Sequence, residues 1–139
     1  MLNLEWHKLE WWYWLVADVL LILAMFVERD YFVAALTFNL AQAIHIGWRR
    51  RSLQHFSTQV RIAYLLWMLA GLLPGMVWMH WIQLVGTNAM LSVGYCPLAR
   101  LLSLFPWNRR LPLTWKLVLS TFLAPPNRGS ILRNPAITA

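Results

Sequence analysis

The chain has 139 residues, 60% of them hydrophobic and 12% charged, with a mean hydropathy of +0.51 and a net charge of +7. An ordinary soluble domain carries about 25% charged residues, so this composition excludes that class and points to one compact membrane domain. The basic surplus does not indicate nucleic acid, because Lys and Arg sit at the margins of apolar runs rather than massed on one face, and the lone Cys96 excludes an internal disulfide framework or a thiolate metal cluster.

Trp11 to Val27 is the first apolar run, with Glu5, His7, Lys8 and Glu10 ahead of it and Glu28-Arg29-Asp30 behind it. A secretory leader would have a basic head without acids and a small-residue cleavage site, so the run reads as a retained span. Tyr31 to Trp48 is the second run, and the charged triplet between the two is short enough to force an antiparallel helical hairpin. Arg49, Arg50 and Arg51 cannot sit in hydrocarbon, and with Arg61 they bound a basic loop. No charged residue follows until Arg100, an interval of 38 residues. One helix of that length would measure ~57 Å against a ~30 Å hydrocarbon core, so two crossings are expected. A turn at Pro74-Gly75 would leave only residues 62–73 for the third span. The turn is therefore expected at Trp78-Met79-His80-Trp81, with Pro74 as a kink.

The resulting expectation is an all-α membrane protein with four transmembrane helices in two antiparallel hairpins, spans 11–27, 31–48, 62–79 and 82–99, in a domain covering 1–105. Residues 106–139 are expected to form a short cytoplasmic interfacial helix, Pro112 to Leu123, and an extended basic tail. Four crossings put eleven of the twelve Lys and Arg residues on one side, which the positive-inside rule makes cytoplasmic, with both termini there and the chain in the inner membrane. Arg49, Arg50, Arg51, Arg61, Arg100, Arg109 and Arg110 are the residues expected to set topology and meet lipid. Trp6, Trp11, Trp12, Trp14, Trp48, Trp78, Trp81 and Trp107 mark the interfaces. No acid follows Asp30, so the basic surface faces either an anionic leaflet or an acidic partner subunit.

Intramembrane polar residues are the candidate functional ones. Asp18 lies at the same distance from the Arg29 turn as Asn39 and Gln42, so the three are expected to meet, either as hydrogen-bonded packing glue or as a proton or cation site. Ala35, Asn39, Gln42 and His45 form one stripe on the second helix. Gly71-x-x-x-Gly75 and Gly86, Ala89 and Ser92 are small-residue faces suited to close helix packing. Cys96, beside Pro97, lacks an adjacent base and reads as an inert buried thiol.

Ala41-x-x-x-His45 followed by Trp48 resembles the pigment-ligating motif of bacterial light-harvesting antenna polypeptides, in which a small residue one turn before the histidine makes room for a macrocycle. The resemblance covers eight residues and stops there, since antenna polypeptides have a single span. It implies bacteriochlorophyll at His45. A bis-histidine haem within the chain is disfavoured, because His45 and His80 belong to opposite faces. The residues themselves call for no cofactor, metal or catalytic group.

Three functions follow. The leading one is a non-catalytic accessory or assembly subunit of a larger inner-membrane complex, energy-transducing or redox. The others are a pigment- or haem-binding subunit using His45, and a small transporter, a homo-oligomer, using Asp18, Asn39 and Gln42.

Overall fold

The computed structural model describes residues 9–52, 54, 56–108 and 111–124. They form six helices: α1 (Leu9–Phe26), α2 (Tyr31–Arg50), α3 (Phe56–Gly71), α4 (Trp78–Val93), α5 (Pro97–Ser103) and α6 (Trp115–Leu123). The first four make a closed antiparallel ring, in which α1 packs on α2 and α4, and α3 packs on the same two. Side-chain bonds identify the two ends. At one end Arg50 closes on Glu10, and Trp11 Nε1 donates to Leu91 O at 3.3 Å. At the other end Phe26 meets Trp81 and Phe32 meets His80. Helices α5 and α6 cover the Glu10 end, where Trp107 and Asn108 both donate to Gln59 Oε1 of α3.

Four transmembrane helices are not what these elements provide. Among the described residues only α1 is long and apolar enough to cross a membrane, and a leader sequence or a core helix can share those properties. Helix α2 has 20 residues but carries Asn39, Gln42, His45, Arg49 and Arg50. Helices α3 and α4 have 16 residues each, about 24 Å, short of the ~30 Å core. The expected third and fourth spans fail for identifiable reasons. Helix α3 starts at Phe56, not Ile62, and runs through the buried Arg61. It is therefore complete by Gly71, and the turn comes at Pro74-Gly75, where Gly75 takes φ +80°. Pro74 ends the excursion instead of kinking a helix.

The fourth expected span breaks at Gly94 (φ +77°), whose N–H closes on Ala89 and Met90 carbonyls. Pro97 then starts a new helix, because its missing N–H costs nothing in a first turn and Cys96 Sγ accepts from Ala99 N. The helix expected at the interface begins at Trp115 rather than Pro112, with Thr114 as its side-chain cap. The expected tail beyond Ala124, with Arg109 and Arg110, lies outside the described residues.

The core runs along the ring axis through Trp14, Leu21, Ala35, Tyr64, Met68 and Leu84, with Ala17 and Ala24 letting α1 approach its neighbours. Many large apolar side chains face outward instead, including Trp12, Phe26, Val33, Ile44, Val85 and Trp48, the last 81% exposed.

Candidate functional site

The polar interior of the ring is the feature that an apolar chain must account for. Asp18, Asn39 and Gln42 are all buried, but the hydrogen bond of Asp18 comes from α4, not α2: Asn88 Nδ2 donates to Asp18 Oδ1 at 3.2 Å. Asn39 Nδ2 donates to Ala35 O at 2.8 Å, and Gln42 Nε2 to Asn39 Oδ1 at 2.6 Å. In a closed ring each helix has two neighbours, and matched depth does not say which one a side chain turns toward. Asp18 shares its face with Trp14 and Leu21, and Asn88 meets it there.

A second network joins α3 to α4. Thr87 Oγ1 donates to Gln83 O at 2.7 Å, so the Tyr64 hydroxyl, 3.2 Å away, is the donor to Thr87 Oγ1. Gln83 Nε2 returns to Tyr64 O at 3.2 Å. Nearby, His80 is buried and faces Gln83 and the Gly71 backbone without a well-formed hydrogen bond to either ring nitrogen. Packing holds it: Phe32 lies 4.6 Å away between ring centroids, and a Cβ on Gly71 would fall 2.7 Å from its Cε1. Gly71 is thus a close-approach residue, whereas Gly75 has open space around it and occupies a turn, so the two do not form one helix face. Gly86 lies against Pro97, and Ser92 Oγ donates to Asn88 O.

The basic residues divide into two kinds. Arg49, Arg50 and Arg51 are exposed, Arg51 in the left-handed conformation that ends α2. Arg61 and Arg100 are each only 2% exposed. Arg61 Nη1 donates to Ser57 O and Oγ, its guanidinium lies 5.2 Å from the Trp14 ring, and Glu10 stands 3.7 Å from Nη2. Arg100 Nη1 donates to Thr121 O at 2.6 Å and Ala124 O at 2.7 Å, and its guanidinium sits 4.1 Å over Tyr95. Burial draws both guanidinium groups below their usual pKa; Glu10 opposes this at Arg61, and Tyr95 and Cys96 oppose it at Arg100. Sequence reasoning missed these inward roles. The available signal was Arg61 within one turn of Ser57, and Tyr95 shortly before Arg100.

His45 rotates out of the Asn39–Gln42 stripe. It is exposed, and its Nδ1 shares a 2.7 Å hydrogen bond with the Tyr13 hydroxyl, the rings meeting edge to face at 5.7 Å. This fixes the ring and leaves Nε2 as the nitrogen that could hold a macrocycle's metal, beside the exposed Ala41 and Trp48. Among the described residues no group of three or more His, Cys, Asp or Glu is placed to hold a metal ion. Comparison of the chain with protein-family models, with curated proteins and with solved structures finds no match.

Proposed function

We propose that this chain is a non-catalytic accessory or assembly subunit of a larger inner-membrane complex, anchored by α1, with its basic end on the cytoplasmic side. The observation that carries the reading is the number of polar side chains buried inside the ring while large apolar ones face outward. Asp18, Asn39, Gln42, His80, Gln83 and Thr87 are buried, while Trp12, Val33, Ile44, Trp48 and Val85 face outward. In water that arrangement leaves a large apolar collar uncovered; beside lipid or apolar partner helices it is the stable one, since internal polar bonds then hold helices together. Only 28% of the apolar window of α1 is buried against the bundle, which favours an anchor over a soluble core helix. Helices α2 to α4 expose apolar faces without the length or composition to cross alone, so a partner's helices are the natural cover.

The test is purification of the tagged chain from its native membranes in mild detergent, followed by mass determination of the native assembly. Fixed-stoichiometry partner subunits are expected. A lone 16.3 kDa chain, or one that alkaline washing strips from the membranes, would overturn the reading.

A second reading has one observation in its favour, the Tyr13-oriented His45 on an outward apolar face. A subunit holding a pigment or haem there, with a partner completing the site, would show Soret or near-infrared absorption that disappears in His45→Leu and shifts in Tyr13→Phe.

A further inference from the structure

A half-enclosed cavity of about 190 Å³ lies between α1, α3, α4, α5 and α6, walled by Trp14, Tyr64, Trp67, Met90, Pro97 and Phe122. We infer that it is a binding site for the hydrocarbon chain of a membrane lipid.

Three features define the occupant. The first is size: a dry apolar cavity of about 150 Å³ accepts benzene, so this one takes a slightly larger apolar group, such as a bent stretch of acyl chain. The second is polarity. Most polar groups in its wall are engaged within the protein, Tyr64 with Thr87, Thr87 with Gln83 O, Gln83 Nε2 with Tyr64 O, and Trp67 Nε1 with Met79 O at 2.9 Å, and the lining that stays open to the cavity is almost wholly apolar. Gln83 Oε1 makes no well-formed hydrogen bond, but it is buried away from the cavity surface. Water would need two to four polar partners and finds none on this surface, and a charged or strongly hydrogen-bonding ligand has nothing to bind. The third is access. Ile82 and Leu101 line the cavity and are also exposed, so its mouth is rimmed with apolar side chains and opens onto the outer surface. A void on a lipid-facing surface forfeits dispersion contacts that an entering chain restores.

This inference rests on the bundle lying against lipid, and the experiment separates the two claims. The full-length protein is reconstituted in phosphatidylcholine–phosphatidylglycerol vesicles carrying a trace of phosphatidylcholine with a diazirine on its acyl chain, irradiated, digested and mapped by mass spectrometry. Adducts are expected on the peptides holding Met90 and Cys96 to Leu98 as well as on outer-face residues such as Val16 and Ile44. Met90→Trp and Leu98→Trp, each filling the cavity, should lower the cavity adducts about tenfold and leave the outer ones unchanged, as a filled pocket buries none of the chain. Val85→Trp, on the exposed face of α4, is the control and should change neither. Thermal unfolding identifies any variant that fails to fold, and two filling positions are used so that one failure does not end the test. Adducts confined to outer faces, or cavity adducts unaffected by both folded filling variants, would overturn the inference and leave the membrane reading standing. A protein that does not float with the vesicles would overturn both. If free naphthalene raises the melting temperature of wild type but not of the filling variants, while the acyl probe spares the cavity, the site takes free aromatics and the lipid assignment fails.

Discussion

Replacing Arg100 with methionine should release α6 while leaving the four-helix ring intact. The guanidinium is the donor to two carbonyls, Thr121 and Ala124, at the C-terminal end of α6, which no later turn of that helix can satisfy. Each charge-assisted bond contributes about 1.5–3 kcal/mol, and the cation over Tyr95 about 0.5–2 kcal/mol. Against this stands the cost of keeping a guanidinium out of water, several kcal/mol in a buried site, which methionine does not incur. The net loss is about 2–4 kcal/mol, because methionine leaves both carbonyls without a donor unless α6 swings into solvent. The effect is expected to stay near α6, whose main packing is on α5, with Phe56 of α3 touching the same small apolar cluster. Hydrogen exchange reads it directly: amides of 115–124 should exchange about 30- to 1,000-fold faster, at 1.4 kcal/mol per decade, while those of α1 to α4 stay within threefold. Arg100→Lys, a point charge able to reach one carbonyl, should fall between the two. Unchanged protection of α6 in Arg100→Met, or an equal loss throughout the ring, would refute the reasoning.

Three further outcomes follow from the same geometry. Gly71→Ala pushes a methyl to 2.7 Å from the His80 ring, which Phe32 prevents from retreating; overpacking of about 1–3 kcal/mol exceeds the ~1 kcal/mol gain in helix propensity, so the melting temperature in detergent should fall, and a cycle with His80→Ala should show favourable coupling of ~1 kcal/mol or more. Asp18→Ala and Asn88→Ala should be coupled by about 0.6–2 kcal/mol, whereas Asp18→Ala with Gln42→Ala should be additive within ~0.5 kcal/mol; equal coupling in both cycles would contradict the α1–α4 pairing. Glu10→Gln removes the carboxylate that holds Arg50 at 2.9 Å and faces the buried Arg61; because Glu10 is partly exposed, the loss should be about 1–3 kcal/mol, seen as a lower melting temperature that Arg61→Leu in the same chain largely restores.

Helical class, the tight turn at residues 28–30, the basic stretch after Trp48 and a short helix ending at Leu123 could all be read from the chain, because each rests on local chemistry. The chain is ambiguous where a local signal has two structural uses. Pro74 and Pro97 each fit either an interrupted helix or a boundary, and both are boundaries: one beside a positive-φ glycine, the other opening α5 behind the Cys96 cap. The start of α3 was hidden because an arginine inside an amphipathic helix reads as a loop residue until Ser57, Glu10 and the Trp14 face are seen around it. That one displacement, Phe56 instead of Ile62, moved the turn and removed the third span. The Asp18 partner could not be chosen at all, since rotation about α1 is a property of the closed ring. The cavity is likewise a product of α5 folding back against Gly86, which no spacing announces.

If α1 anchors the chain as proposed, burial of Arg61 and Arg100 also changes which basic residues can set its orientation. Counting every basic residue as a surface charge treats them as equal to Arg49, Arg50 and Arg51, yet each of the two is held by internal oxygens and an aromatic face, and the other three are exposed. A guanidinium engaged inside the fold cannot reach lipid phosphates directly, whereas an exposed arginine near the surface contributes about 1 kcal/mol. Replacing Arg49, Arg50 and Arg51 together with glutamine should therefore reduce the bias by about 3 kcal/mol and leave a substantial fraction of chains inverted, with Met1 scored by a compartment-specific reporter. Arg61→Leu should lower stability and leave the reporter where it was. If Arg61→Leu inverts the chain as readily as the triple change, charge acts on orientation before the helices assemble, and the buried and exposed arginines are equivalent at that stage.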